Sequence, residues 1–205
     1  MKIFFARHGE SEANVAQIIS NRDLPHHLTA NGRHQAWELA NLLRNSSLTR
    51  IYSSPIARAI ETGGIVSRAL NVECEIAEAL REFDCGIYEG RGDAEAWEAH
   101  DSLARAWFDD ERLNARIEGG ESFVDIRDRF VSWIGSLVQA HGETDASFLL
   151  ISHGGTLRCV LPILLENVTL EIVEAKGFSY TAPIEVLVEN GLLFCIRWNG
   201  VQIHR

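Results

Sequence analysis

Arg7-His8-Gly9 is the first set of residues along the chain that could do chemistry together. It follows the apolar run Ile3-Phe4-Phe5-Ala6, which reads as a buried strand. The triplet therefore sits where a strand ends and the chain turns, the place where open α/β sheets bind ligands. Arginine offers a planar fork of donors that matches phosphate oxygens. Histidine supplies a nucleophile that is neutral near pH 7. Glycine lets a backbone N–H approach an anion. These types together suit one task, holding a phosphoryl group and attacking it. Taken alone, the triplet is better read as a surface Arg-His pair in a loop.

Two further strands end in a similar way. Phe148-Leu149-Leu150-Ile151 runs into Ser152-His153-Gly154-Gly155, with a helix expected from Thr156. If this strand neighbours the first, two imidazoles stand side by side. Arg50-Ile51-Tyr52-Ser53 runs into Ser54-Pro55-Ile56-Ala57-Arg58. Ser54 reads as a helix N-cap and Pro55 as the first helical residue. Arg58 then lies near the positive end of a helix, which favours an anion. Singly, Arg58 reads as a solvated arginine and His153 as a hydrogen-bonded loop histidine. As a set at three strand ends, the residues predict one polyanion site. His8 is its nucleophile, kept neutral by Arg7 and Arg58, while Arg7, Arg58 and His153 bind the phosphoryl oxygens. Ser11 and Asn14 are candidate neutral donors to the same group, with a local turn or helix-cap role equally open.

The elements that must hold these residues alternate between helix and strand. Residues 30–44 read as a helix capped by Thr29, with Ala36, Leu39, Ala40 and Leu43 on one face. Ser122 caps another that runs to about Ala140, and its stripe Phe123, Ile126, Phe130, Trp133, Ile134, Leu137 is core. Near the end, 184–188 and 192–198 flank Glu189-Asn190-Gly191, a hairpin signal. The alternation predicts an α/β fold, a three-layer α/β/α sandwich on a mixed, mostly parallel sheet. No linker or repeat divides the chain, so residues 1–205 read as one domain. The connection 90–119 reads as a small cap over the site. It carries Arg91, Trp97, Arg105, Trp107, Arg112 and Arg116, whose roles the sequence does not assign.

In order along the chain, seven stretches resemble the histidine phosphatase superfamily, also called phosphoglycerate mutase-like. They are Arg7-His8-Gly9-Glu10-Ser11 with Asn14, and Leu28-Thr29 with Gly32, Gln35 and Ala36. Ser53-Ser54-Pro55 follows, with Arg58-Ala59 and Thr62, then Leu80-Arg81-Glu82-Phe83 with Gly86. Glu89-Gly90, Gly119-Gly120-Glu121-Ser122 and Ser152-His153-Gly154-Gly155 complete the set. Two departures stand out. Gly63 replaces the usual alanine, and Pro162 falls inside the helix expected after His153, where it should kink or end it.

Loss of an alkoxide needs a proton donor. From the residues alone Glu10, Glu12, Glu82, Asp84, Glu89 and Glu121 are all candidates. The resemblance implies Glu82, which would then also activate the water that hydrolyses phosphohistidine. Glu10 is expected to face the substrate, and Glu89 reads as a solvated loop charge. Three activities fit the resemblance: hydrolysis of small phosphate monoesters, phosphoryl transfer between the hydroxyls of a glycerate, or an idle binding or signalling module on the same fold. The sequence at Glu82 and the short 90–119 connection look like the phosphatase branch.

Composition narrows the partners. A formal net charge of −10 argues against nucleic acid, while a local cluster of cations can still hold a small phosphorylated metabolite. No apolar run approaches a membrane span, and Arg7 comes too early to leave room for a cleavable leader. Four cysteines without metal or redox spacing read as reduced thiols of a cytoplasmic protein. Neither a metal nor another cofactor is expected. The oligomeric state carried forward is a homodimer.

Overall fold

The structure, a computed structural model, describes residues 1–203. Its centre is a seven-stranded mixed sheet. The strands are β1 (Lys2–Arg7), β2 (Arg50–Ser53), β3 (Cys74–Ile76), β4 (Ser147–Ser152), β5 (Ile184–Glu189), β6 (Leu192–Trp198) and β7 (Val201–Gln202). Their spatial order is β3-β2-β4-β1-β5-β6-β7. The first four in that order run parallel, and β5, β6 and β7 join antiparallel.

Alternation along β1 and β4 builds the layers. Ile3, Phe5, Phe148 and Leu150 face one side, where Phe130 and Ile134 of the long helix Phe123–His141 cover them. Phe4, Ala6, Leu149 and Ile151 face the other, against Leu39 and Ala40 of helix Ala30–Leu42 and Ala59 and Val66 of helix Ala57–Leu70. A strand buried on both faces has no polar side to show, which is why these runs read as continuously apolar. Among the described residues no helix is long and apolar enough to cross a membrane.

We label the helices α1 (Glu12–Ala16), α2 (Ala30–Leu42), α3 (Ala57–Leu70), α4 (Ala94–Phe108), α5 (Phe123–His141), α6 (Gly154–Leu164) and α7 (Leu170–Lys176). Their boundaries correct the sequence reading at three points. Helix α2 ends at Leu42 rather than Arg44. Helix α3 begins at Ala57 with Ile56 at its N-cap, so Ser54 is not the cap and Pro55 is not helical. The Ser54 hydroxyl instead binds the His153 ring, 2.7 Å away, and accepts from the Ile56 N–H. Helix α6 starts at Gly154, two residues before Thr156, and Pro162 lies inside it, with the helix ending at Leu164. The Gly63 departure also has a physical reason. A Cβ there would lie 2.9 Å from Cys74 Sγ on the neighbouring strand, so the larger cysteine takes the room of the methyl group.

Candidate active site

Register brings the two histidines together. β1 pairs with β4 so that Arg7 lies beside Ser152, and the next residue of each strand is a histidine. The His8 and His153 rings are 4.9 Å apart. From the next parallel strand, β2, the chain turns into α3 and buries Arg58 between them. Arg58 Nε donates to His8 Nε2 at 2.9 Å, Nη1 to the Ser20 carbonyl at 2.5 Å, and Nη2 to His153 Nδ1 at 3.2 Å.

A guanidinium has no acceptor, so these bonds fix both tautomers. His8 Nε2 must carry a lone pair, and its proton sits on Nδ1, donated to the Gly9 carbonyl at 2.7 Å. His153 must be protonated on Nε2, which donates to Ser54 Oγ. In the free protein the His8 lone pair is thus masked by Arg58, and His153 has already spent its donor.

Burial holds both rings well below the ordinary imidazole value of 6.5, and the charges of Arg58 and Arg7 push the same way. Burial also brings Arg58 down to about 10, against the opposing pull of Glu82, and leaves it charged at neutral pH. The histidine shifts have a stability consequence. Below 6.5 the unfolded rings take up protons that the folded rings refuse, so stability falls as pH drops from 6.5 toward the depressed folded values. Each ring should contribute a slope of about 1.4 kcal/mol per pH unit in that window. Denaturant midpoints measured between pH 7 and 5 should show it, with His8→Ala flattening the slope. An unchanged slope in that variant would mean His8 titrates normally in the folded protein.

Arg7 is held from the far end of the chain. Its Nη1 donates to the Phe178 carbonyl at 3.2 Å, and its guanidinium lies 4.2 Å from the Tyr180 ring centre. Its Nε is buried without a partner, a donor awaiting an acceptor. Sequence reasoning missed this Phe178–Tyr180 support, because nothing local marks residues so distant along the chain.

Glu82 arrives from the loop after β3, which Arg129 fixes by donating to the Ala79 and Arg81 carbonyls. The Glu82 carboxylate sits at the start of α6. Oε1 accepts from the N–H groups of Phe83 and Thr156 and from Thr156 Oγ1, while Oε2 accepts only from the Gly155 N–H. His153, the N-cap residue of α6, has no side-chain cap bond because its ring faces Arg58 and Ser54. Glu82 supplies the missing cap from another part of the chain.

Arg7, His8, Arg58 and Glu82 line a cleft of about 340 Å³, whereas His153 is fully buried behind Arg58 and does not line it; of the described residues Glu82 is the one carboxylate there. The other candidate acids are engaged elsewhere. Glu10, expected to face the substrate, instead accepts from Thr29 Oγ1 at the start of α2. Glu12 accepts from the His27 N–H, Asp84 pairs with Arg22, and Glu121 pairs with Arg129. Glu89 is not a solvated loop charge. It is half-buried, accepts from the N–H groups of Asn21 and Cys85, and burial raises its pKa. Asn14 borders the cleft, but Ser11 does not, because its hydroxyl is committed to a capping box with Asn14 at the start of α1. The Gly9 N–H is likewise committed, to Thr62 Oγ1 at 3.1 Å. Glycine is needed there because a Cβ would lie 2.4 Å from the Gly32 carbonyl oxygen.

The 90–119 connection divides into wall and surface. Trp97 and His100 of α4 line the cleft, as does Arg158 of α6. Trp107 is core, with its Nε1 donating to the Ala115 carbonyl. Arg91, Arg105, Arg112 and Arg116 form surface ion pairs away from the cleft. A larger cleft of about 720 Å³ lies beside Met1, Lys2 and Ser147, at the opposite end of the parallel strands, and touches none of the site residues.

Comparison with known proteins bears on the fold and the family. The solved structure of YhfR from Bacillus stearothermophilus matches with a TM-score of 0.82 and 26% identity over 98% of both chains. A mycobacterial glucosyl-3-phosphoglycerate phosphatase shares the fold, with a TM-score of 0.76 and 23% identity over 97% of this chain and 98% of that one. A protein from Proteus mirabilis named probable phosphoglycerate mutase GpmB is 33% identical over 172 residues, 80% of this chain and 75% of its own length. The family model of the histidine phosphatase superfamily (branch 1) matches residues 3–200, and the chain belongs to that superfamily.

Proposed function

We propose that the protein is a phosphatase that hydrolyses small phosphate monoesters through a phosphohistidine on His8. The observation that carries this reading is the Nε2 lone pair of a neutral His8 in contact with Arg58, beside an Arg7 whose buried Nε has no partner. The two guanidinium groups match the charge of a phosphoryl dianion. On its arrival Arg58 Nε leaves His8 for a phosphoryl oxygen and unmasks the lone pair. The dianion also favours protonation of His153 Nδ1, which turns it from acceptor to donor. Asn14 adds a neutral donor from the rim.

His8 Nε2 then bonds to phosphorus as the ester P–O bond breaks, and the leaving oxygen takes a proton from Glu82. Oε2 is the oxygen with room for that proton, since Oε1 already accepts three hydrogen bonds. The resulting carboxylate takes a proton from water as that water attacks phosphorus. The N–P bond breaks and neutral His8 returns. No step calls for a metal, because Arg7, Arg58 and His153 supply the positive charge that Mg²⁺ supplies elsewhere.

The name of the Proteus relative favours a second reading, transfer between two hydroxyls of a glycerate. One experiment separates them. After dialysis against a strong chelator, the protein is given a panel of phosphate monoesters and, separately, 3-phosphoglycerate with catalytic bisphosphoglycerate. Free phosphate from at least one monoester, with little 2-phosphoglycerate, is expected. Isomerisation outpacing hydrolysis would make the protein a mutase. Activity lost to the chelator and restored by a divalent ion would refute the metal-free mechanism. Neither product would leave a binding module.

A further inference from the structure

Beyond the phosphoryl site, the leaving group must occupy the outer part of the cleft, and that part has its own chemistry. One wall is a connected set of aromatic rings. Phe83 stacks on His100 at 5.5 Å, and Trp97 meets His100 edge to face at 5.2 Å. The set is anchored in the core, where Phe83 packs edge to face on buried Trp107 at 5.3 Å. The Trp97 ring is pinned by its Nε1, which donates to the Gln17 carbonyl at 2.8 Å. Rings held this way lose little freedom when a ligand packs on them.

Charge points in the same direction. Arg7 and Arg58 balance a phosphoryl dianion, and an anionic leaving group would need a further cation. Among the described residues Arg158 is the remaining arginine or lysine along the cleft. Its guanidinium is already engaged by Glu174 at 2.6 Å and lies 4.3 Å from the Phe108 ring centre, and neither partner lines the cleft.

We propose that the substrate is a phosphate monoester of an uncharged alcohol carrying a flat ring, which packs against Phe83, His100 and Trp97. The proposal rests on the phosphatase reading for its reaction. The cleft volume of about 340 Å³ suits a single ring system beside the phosphoryl group.

Benzyl phosphate, ethyl phosphate and 3-phosphoglycerate all leave through an alkyl oxygen, so differences among them report the outer cleft. We expect kcat/KM for benzyl phosphate to exceed that for ethyl phosphate by about tenfold, the scale of one good aromatic contact. 3-Phosphoglycerate should fall below both. Trp97→Ala should lower the benzyl-to-ethyl ratio several-fold. Glu174→Gln, which frees Arg158, should raise the rate with 3-phosphoglycerate and leave that with benzyl phosphate unchanged. Phosphate release that is fastest from 3-phosphoglycerate, or a ratio insensitive to Trp97, would overturn the ring proposal while leaving the phosphatase reading intact. If no monoester is hydrolysed, the phosphatase reading fails, and calorimetric binding of benzyl phosphate against 3-phosphoglycerate decides the ring proposal. Tighter binding of benzyl phosphate sustains it, and equal or weaker binding overturns it.

Discussion

Replacing His8 by alanine is expected to abolish turnover, with a loss on the order of 10⁴- to 10⁶-fold, the scale of removing a covalent nucleophile. The substitution removes the atom that would bond to phosphorus, and no neighbour can take its place. The other ring, His153, is fully buried behind Arg58, with Nε2 bound to Ser54. The folded state should survive, because Arg58 stays anchored by the Ser20 carbonyl and His153 when the His8 ring is removed. Retained thermal stability at pH 7 alongside lost activity would separate chemistry from folding. In the unaltered protein, rapid quench with labelled substrate should trap phosphate that is acid-labile and base-stable, and peptide mapping should place it on His8. Normal turnover by the alanine variant, or label on a serine, would end the phosphohistidine mechanism.

The sequence makes the Arg7, His8, Arg58 and His153 part of this site legible because that part is local. Arg7-His8 and Ser152-His153 each follow an apolar run within a few residues. Parallel pairing of those two strands in register then suffices to put the rings together. Arg58 is legible for the same reason, although its helix begins later than the Ser-Pro signal suggests. That signal misleads because Ser54 serves the His153 ring instead of a helix end.

Residues whose role depends on long-range packing left no such trace. From the residues alone six carboxylates are candidates and the resemblance picks Glu82, while the fold shows that Glu10, Glu12, Asp84, Glu89 and Glu121 are bound elsewhere. Tyr180 grips Arg7 from an isolated β-bridge that no spacing connects to it. Composition alone could not divide the 90–119 stretch into one buried tryptophan, one at the cleft edge and four ion-paired arginines. For Trp97, Arg105 and Trp107 the outcome depends on which side of α4 packs toward Phe83 and Phe123, while Arg91, Arg112 and Arg116 lie outside that helix.

Glu82 carries the second large effect. If it protonates the leaving oxygen, its loss should hurt most where that oxygen leaves poorly. An alkyl alcohol departs as a poor alkoxide, whereas a nitrophenol leaves readily without a proton. Glu82→Gln should therefore slow phosphoryl transfer from alkyl phosphates by roughly 10²- to 10⁴-fold, and transfer from nitrophenyl phosphate clearly less. The measurement must be single-turnover phosphoenzyme formation, because steady-state rates also contain the hydrolysis step that Glu82 would assist as a base. Structure adds a control. Glutamine can keep the three hydrogen bonds to Oε1, but sets an amide N–H₂ against the Gly155 N–H that now bonds Oε2. A cap weakened in this way costs about 1 kcal/mol, a loss that denaturant titration would register and that should affect both substrates alike. The ratio of the two rate losses, rather than either alone, reports proton transfer. Equal losses would make Glu82 a positioning residue that caps α6 and steadies His153, and would leave water as the proton source, since no other carboxylate among the described residues lines the cleft.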